Sequence, residues 1–533
     1  MPANPCRGPR PFHALLAGLS VAAAACATGR ARPGPPAISG RYKDYNVILI
    51  SLGNVGASRM SLYGYQRKTT PRLDAWAKDA LVFESAFTHA SWTLPVAVSL
   101  FTSMYPYTHK IWTRQTDNSL APEIQTLPEI LKARGYRTAA FTGGLDYYPI
   151  LSHMRGFESG ADNPIFSRFE ATIPQARKWL AMPKAGRFLL FVHGYDTHCP
   201  FIPHKPFLGA FSDPKQRSPA INFDRCLRGY AAFKDYVAFY SGGCPEFMGV
   251  QKCPHGEGGE EVRLTGNDVE YIGSLYDDAL LEEDFLVADF LASLDKSLLE
   301  KTIIVVTADH GEMFAKHGRF GRAGMRRGTH YDDVLHVPLM IRLPGVPGRR
   351  VSGLAQLIDI MPTLLDALGM AAPDSAQGKS LEALVRDGTP VNPYGYSGLV
   401  YNFHPMTELD NQLFRYASVS ETIRNERWKL IREQLFEPPG HKEGPASPVT
   451  RLMDDYRQGA QPAITETLEL FEISRDPEEL HDLSKEKPGI VRKMLVALKA
   501  WADASSAAAR TRPSTQRIPP ALLEKARERG YWE

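Results

Sequence analysis

The run Val47–Ile50 is continuously apolar and is followed almost at once by Gly53 and Gly56. Unbroken hydrophobicity, in contrast to alternation, marks a strand covered on both faces, the condition of a parallel strand inside an α/β sheet. The runs Leu189–Val192 and Ile303–Val306 share that character. Open sheets of this kind gather their ligands at the carboxyl edge, so the residues that follow the runs carry the functional question. They are Gly53, Asn54 and Ser58 after the first run, Asp196 and His198 in DTHCPF after the second, and Asp309 and His310 in TADHGE after the third.

With 533 residues and 43% hydrophobic content the chain can bury an ample core. Its 62 basic and 59 acidic residues leave a net charge of +3, so no global field favours nucleic acid or an anionic membrane surface. The N-terminus reads as an address: Arg7 and Arg10 precede an apolar stretch, Leu15–Ala25, too short to span a bilayer but suited to the centre of a secretory signal. Ala23, Ala24 and Ala25 before Cys26 resemble a lipobox. Two outcomes stay open, acylation of Cys26 or simple cleavage, and either implies an exported, periplasmic or envelope protein whose only membrane contact is a lipid anchor. The expected organisation is a signal over 1–26, a Pro/Gly/Arg-rich tether over 27–44, a body over 45–391 and a smaller subdomain with the tail over 392–533. No second apolar stretch is long enough to cross a membrane.

Four cysteines remain in the body, Cys199, Cys226, Cys244 and Cys253, and export permits disulfides among them. Three fall in a Gly- and Pro-rich segment, about 208–262, expected to be an irregular, cross-linked loop near the site. Cys244, Cys253 and His255 match no common zinc spacing, which favours the disulfide reading.

NVILISL with SRMSLYGY, TTPRLDAWAKDALVFESAF, WTLPVAVSLFTSMYP, FVHGYDTHCPF, VVTADHGEMFAKHG, YDDVLHVPLMIRLPG, IDIMPTLLDALG, ETIRNERWKLIR and LELFEISRDPEELHDLS resembles, in the right order, the bacterial sulfatases of the alkaline phosphatase superfamily. The likeness runs from about Asn46 through the tail PPALLEKARERGYWE. It implies an α/β body with a large mixed sheet covered by helices. It also implies a C-terminal α+β subdomain from about Asn392, with ETIRNERWKLIR and LELFEI as antiparallel strands under a helix that presents Ile490, Val491, Met494, Leu495 and Leu498.

The resemblance is weaker at the chemistry. The family has an acidic metal ligand where this chain has Gly53, with Ser58 at another usually acidic position. The formylglycine nucleophile, made from Cys or Ser in a motif like C-x-P-S-R, is replaced by Thr93, Leu94, Pro95, Val96 and Ala97. Thr93 has two readings: a metal-activated nucleophile, as in some phosphotransferring members, or a hydroxyl satisfying a free donor at the start of the helix. Asp309 and His310 match the family's metal-binding pair, or persist for packing. A hard cation gains affinity from several carboxylates, so the expectation is one weakly held divalent cation, Mn²⁺, Zn²⁺ or Ca²⁺, or none. An aspartate restored at position 53 is expected to raise metal retention.

His198 matches a family histidine on the transferred group, or is a loop histidine held by Asp196. In place of a family Lys or His after the next strand stand Gly143, Gly144 and Leu145; Arg327, His330 and His317 are candidates for a remaining basic contact. Three functions follow: an impaired, exported sulfatase-like protein binding an anionic small molecule, glycan, lipid head group or protein partner; a divergent ester hydrolase or phosphotransferase using Thr93; or an envelope scaffold with the 208–262 insertion as its contact surface.

Overall fold

The computed structural model describes residues 37–111, 118–160, 166–182, 186–219, 221, 223, 227–228, 237–240, 261–319, 321, 329–401, 418–437, 463–509, 511–513 and 521. The signal-like run with Cys26, Arg327, Cys226, Cys244, Cys253 and His255 lie outside them.

Eight strands form the central sheet: β1 (Asn46–Leu52), β2 (Leu81–Phe87), β3 (Arg137–Phe141), β4 (Ser159–Gly160), β5 (Phe188–Gly194), β6 (Thr302–Ala308), β7 (Leu339–Arg342) and β8 (Arg349–Gln356). Their order is β8-β2-β7-β6-β1-β5-β3-β4. Parallel pairing joins β6, β1, β5, β3 and β4, while β7 runs antiparallel to β6 and β2, which makes the sheet mixed. β1, β5 and β6 are buried along almost their whole length, as their unbroken apolar runs require. In register, Leu52 stands beside Gly194 on one side and Ala308 on the other. The three loops that follow therefore leave the sheet together, and this brings residues 53–54, 195–198 and 309–310 to one edge.

Four helices matter for the site or its support: α1 (Thr93–Thr102), α2 (Phe169–Leu180), α3 (Gly266–Ala292) and α4 (Pro488–Ala507). Every residue of α1 is buried. Thr265 and Asp268 close a capping box at the start of α3, fixing where that long helix begins.

A second, four-stranded antiparallel sheet contains β9 (Gly395–Tyr401), β10 (Ser418–Arg424), β11 (Lys429–Glu437) and β12 (Ala463–Phe471), in that order. Val491, Met494, Leu498 and Trp501 of α4 pack with Ile423, Leu430 and Leu470, and Ile490 and Leu495 flank them. This sheet is tied to the body by buried charge: Lys429 binds Asp332 (2.6 Å) and Glu479 (2.5 Å), and Arg319 binds Glu433 (2.6 Å).

One boundary and one local structure differ from the sequence expectation. The tether does not extend to residue 44, because Ile38 and Tyr42 are buried and the Gly40 and Tyr42 amides donate to Asp366 and Ala367 carbonyls. The insertion is not irregular throughout: Leu227–Arg228, Val237–Tyr240 and Glu261–Arg263 make a three-stranded antiparallel sheet. Among the described residues no helix is long and apolar enough to cross a membrane.

Candidate functional site

Asp309 follows β6, and both of its carboxylate oxygens accept hydrogen bonds. Its Oδ1 accepts the backbone amides of Asn54 (2.8 Å) and His310 (2.9 Å). Its Oδ2 accepts the Thr93 hydroxyl (2.7 Å) and lies 3.4 Å from His310 Nε2. Burial alone would raise this carboxyl, but the imidazoles of His310 and His193, the Asn54 amide and the Thr93 hydroxyl outweigh it and hold the group below the ordinary range. Thr93 is therefore brought to Asp309 and to His310, whose Nε2 is 3.4 Å from the hydroxyl. It does not cap α1: the N-cap is Trp92, in extended conformation and without a side-chain cap, and Thr93 is the first helical residue.

Gly53 has no room for a side chain. A Cβ there would lie 2.3 Å from the Gly194 carbonyl oxygen and 3.2 Å from Tyr195 Cα, both backbone atoms of the neighbouring strand and its loop. An aspartate at 53, expected to raise metal retention, thus has no room for its side chain. The glycine is required by the close approach of two main chains.

Asn54, next along, is buried and left-handed (φ 67°), a conformation asparagine tolerates better than most residues. Its side-chain Nδ2 donates to the Thr197 carbonyl (2.8 Å) and to Glu312 Oε2 (3.0 Å), and its own carbonyl accepts the Tyr276 hydroxyl (2.8 Å). Ser58 stands apart, exposed, with its hydroxyl 3.4 Å from Asp333.

His198 is buried in the loop after β5, with Nδ1 2.7 Å from the Cys199 carbonyl and its ring against Phe166 and Tyr195. Asp196 does not hold it. That carboxylate accepts Arg168 Nε (3.2 Å) and the Phe169 amide (2.8 Å), while Arg168 also reaches Glu282 (2.7 Å). Burial against this arginine leaves Asp196 raised to about 6. Thr197 donates to the Gly53 carbonyl and to Glu283 of α3, whose carboxyl burial drives far above the usual range. Among the described residues neither ring nitrogen of His193 on β5 is hydrogen-bonded, and burial depresses it to about 4.

The basic candidates separate. His317 stacks on Tyr331 at 3.8 Å, and His330 approaches Thr422 of β10 (3.3 Å); burial lowers their imidazoles to about 4 and about 3. His330 thus faces the second sheet. Gly143 packs so closely that a Cβ would come within 2.4 Å of Ser167 O and of the Tyr195 ring, so no longer side chain fits there. Cys199 is in a disulfide whose partner lies outside the described residues.

Among the described residues no group of three His, Cys, Asp or Glu side chains is placed to hold a metal ion. With Gly53 closed to a side chain, no second carboxylate stands at the end of β1, and the described residues do not form the carboxylate-rich set a hard divalent cation requires.

A family model described as Sulfatase matches residues 45–370. The chain belongs to the sulfatase family. A second model, N-sulphoglucosamine sulphohydrolase, C-terminal, matches 317–437. Rat (Rattus norvegicus) arylsulfatase K is 23% identical over 84% of this chain and 76% of its own length. Mouse (Mus musculus) arylsulfatase K is 28% identical over 43% of this chain, but that match spans 35% of the mouse protein. Among solved structures, a 2-O GAG sulfatase superposes with a TM-score of 0.60 at 18% identity, covering 87% of this chain and 92% of that one. These likenesses and the mixed eight-stranded sheet show the alkaline-phosphatase-like α/β fold expected from the sequence.

Sequence reasoning missed the residues that brace this family's sheet edge here. Asn54 stands out only as the residue after Gly53, and Arg168, Glu283 and Glu312 are not among the candidates. The available signal was the acidic density of α3, where Asp277, Asp278, Glu282, Glu283 and Asp284 fall within two turns. Each binds a different neighbour: Arg67, the 209–212 loop, Arg168, Thr197, and the amides of Arg72 and Leu73.

Proposed function

We propose that this chain is an exported member of the sulfatase family that binds a sulfated glycan at the β1/β5/β6 edge and does not hydrolyse sulfate or phosphate esters by the family route. The observation carrying the reading is the closure of Asp309 by Asn54, His310 and Thr93 beside a glycine with no space for a carboxylate. Ester cleavage needs an activated nucleophile and fixed positive charge at the developing oxyanion. Here the hydroxyl that would be activated is donating to a carboxylate held below the ordinary range, which makes that carboxylate a weak base.

Anion binding asks for less. The start of α1 carries no side-chain cap, and His198 and Arg327 are the side chains we assign to the anion. The glycan class is proposed because the relatives include proteins named arylsulfatase K and a 2-O GAG sulfatase. Export fits Arg7, Arg10 and the apolar Leu15–Ala25 segment, with Cys26 as the lipid attachment point and the Cys199 disulfide as an oxidised feature.

One observation favours a second reading: Thr93 lies within reach of both Asp309 and His310, the arrangement a threonine-based hydrolase would need. Titration with sulfated glycosaminoglycan oligosaccharides, with free sulfate followed in parallel, decides between them. Salt-sensitive binding without sulfate release is expected. Release that disappears in Thr93→Ala establishes the hydrolase instead.

A further inference from the structure

Asn54 joins three separate segments of the site through four partners. Its amide nitrogen binds Asp309 after β6, its Nδ2 binds the Thr197 carbonyl after β5 and Glu312 two residues beyond His310, and its carbonyl is held by Tyr276 of α3. The residue is fully buried and follows the glycine that cannot carry a side chain. Its orientation is fixed by chemistry: turning the amide over would set Oδ1 against the Glu312 carboxylate and the Thr197 carbonyl, two acceptors, whereas Nδ2 supplies both with a donor. Among the described residues Oδ1 has no hydrogen-bond partner, so the side chain works as a donor.

Two donors on one residue, the backbone N–H to Asp309 and Nδ2 to Glu312 and the Thr197 carbonyl, bind oxygens from separate loops as a bridging cation would and tie together the ends of β1, β5 and β6. We propose that the Asn54 backbone and side-chain amides have taken over the structural work of a divalent cation at this sheet edge, so that the fold is complete without metal. The inference rests on the reading that the site has no metal-assisted turnover, and it goes further by naming the group that replaces the ion and by stating how a cation requirement can be restored.

Asn54→Asp keeps the size and the left-handed backbone but removes the Nδ2 donor, placing a carboxylate against Glu312 Oε2 and the Thr197 carbonyl. Two carboxylates and a carbonyl are oxygen ligands of the kind Ca²⁺ and Mn²⁺ accept. The experiment follows thermal unfolding of the full chain in excess EDTA and across a titration of Ca²⁺ or Mn²⁺, with bound metal counted after equilibrium dialysis.

Wild type is expected to show one midpoint throughout and to retain no stoichiometric cation. Asn54→Asp is expected to unfold at lower temperature in EDTA, to bind one cation, and to recover with a midpoint that climbs with the logarithm of cation concentration. Asn54→Leu should lose stability with no recovery in either cation. A wild type that retains a stoichiometric cation, or is stabilised by one, overturns the proposal; so does an Asn54→Asp chain whose midpoint equals wild type in EDTA. Should Asn54→Asp fail to fold, Glu312→Gln serves: it relieves the same electrostatic demand, so it must leave wild-type metal independence intact, and a cation response there overturns the proposal too. Sulfate release by a metal-free wild type would end the proposed function yet leave the Asn54 assignment standing, so the two fail separately.

Discussion

Gly53→Ala replaces a hydrogen with a methyl group just past the end of β1, and the structure leaves that methyl nowhere to go. The new Cβ would stand 2.3 Å from the Gly194 carbonyl oxygen and 3.3 Å from its carbon, atoms of the adjacent strand that no rotamer change can move. Relief requires β1 and β5 to separate by roughly 1 Å at the Leu52/Gly194 register, where the Thr197 and Asn54 contacts are anchored. Overpacking of this kind costs about 1–3 kcal/mol. Gly53→Asp adds the burial of a carboxylate with no cation beside it, several kcal/mol more on an order-of-magnitude scale. Gly489→Ala is the control: a Cβ there meets nothing within 4 Å, and the position lies in the first turn of α4, so a gain of about 0.5–1 kcal/mol is expected. Urea midpoints of the three variants should fall in the order Gly489→Ala, Gly53→Ala, Gly53→Asp. A Gly53→Ala protein as stable as wild type, or a Gly53→Asp protein that regains stability by binding a cation, would refute the steric argument.

Lys429→Met strips the fully buried ammonium from Asp332 and Glu479 and should cost about 3–5 kcal/mol, read from the same urea transitions; a loss below about 1 kcal/mol would mean that Arg424 alone suffices. Arg168→Met leaves Asp196 and Glu282 without their shared cation and should speed amide exchange across 195–204 while β1 stays protected; unchanged exchange there would contradict the bracing role. His89 is buried with Nδ1 2.9 Å from the Tyr396 carbonyl, its Nε2 accepts the Ile358 amide, and burial depresses it from 6.5 to about 4. Because the folded value lies below the unfolded one, its stabilisation is complete above about 6.5 and is lost as pH falls towards 4, up to roughly 3 kcal/mol in all. His89→Gln should therefore lower stability at pH 7 but flatten its dependence on pH between those values, and an unchanged slope would show that other groups carry the acid response.

Strand identity was legible because burial on both faces forces continuous apolar runs, as at Val47–Ile50 and Ile303–Val306. The loop residues that follow were legible for the same reason: parallel strands deliver their carboxyl ends to one edge. Pairings across that edge were not. Asp196 and His198 are neighbours in sequence, yet Asp196 turns to Arg168, a residue 28 positions away, and nothing local encodes that choice. Gly53 shows the same limit from the other side. A missing carboxylate is visible in sequence, but the reason no carboxylate fits is a carbonyl on a strand more than a hundred residues later. The acids of α3 fall on every side of the helix because separate loops come to it from several directions, so no periodicity marks them as buried. Asn54 combines both problems, a short polar residue whose four partners come from three distant segments.

The most direct measurement is the initial rate of aryl sulfate and aryl phosphate hydrolysis by wild type, Thr93→Ala and Asp309→Ala, each in EDTA and with added Ca²⁺, Mn²⁺ or Zn²⁺. One indistinguishable background rate is expected in every combination, because the Thr93 hydroxyl is committed to Asp309 and Gly53 leaves no carboxylate to complete a cation site. Turnover by wild type that requires a cation and vanishes in both variants would contradict it and establish a threonine-based hydrolase in its place.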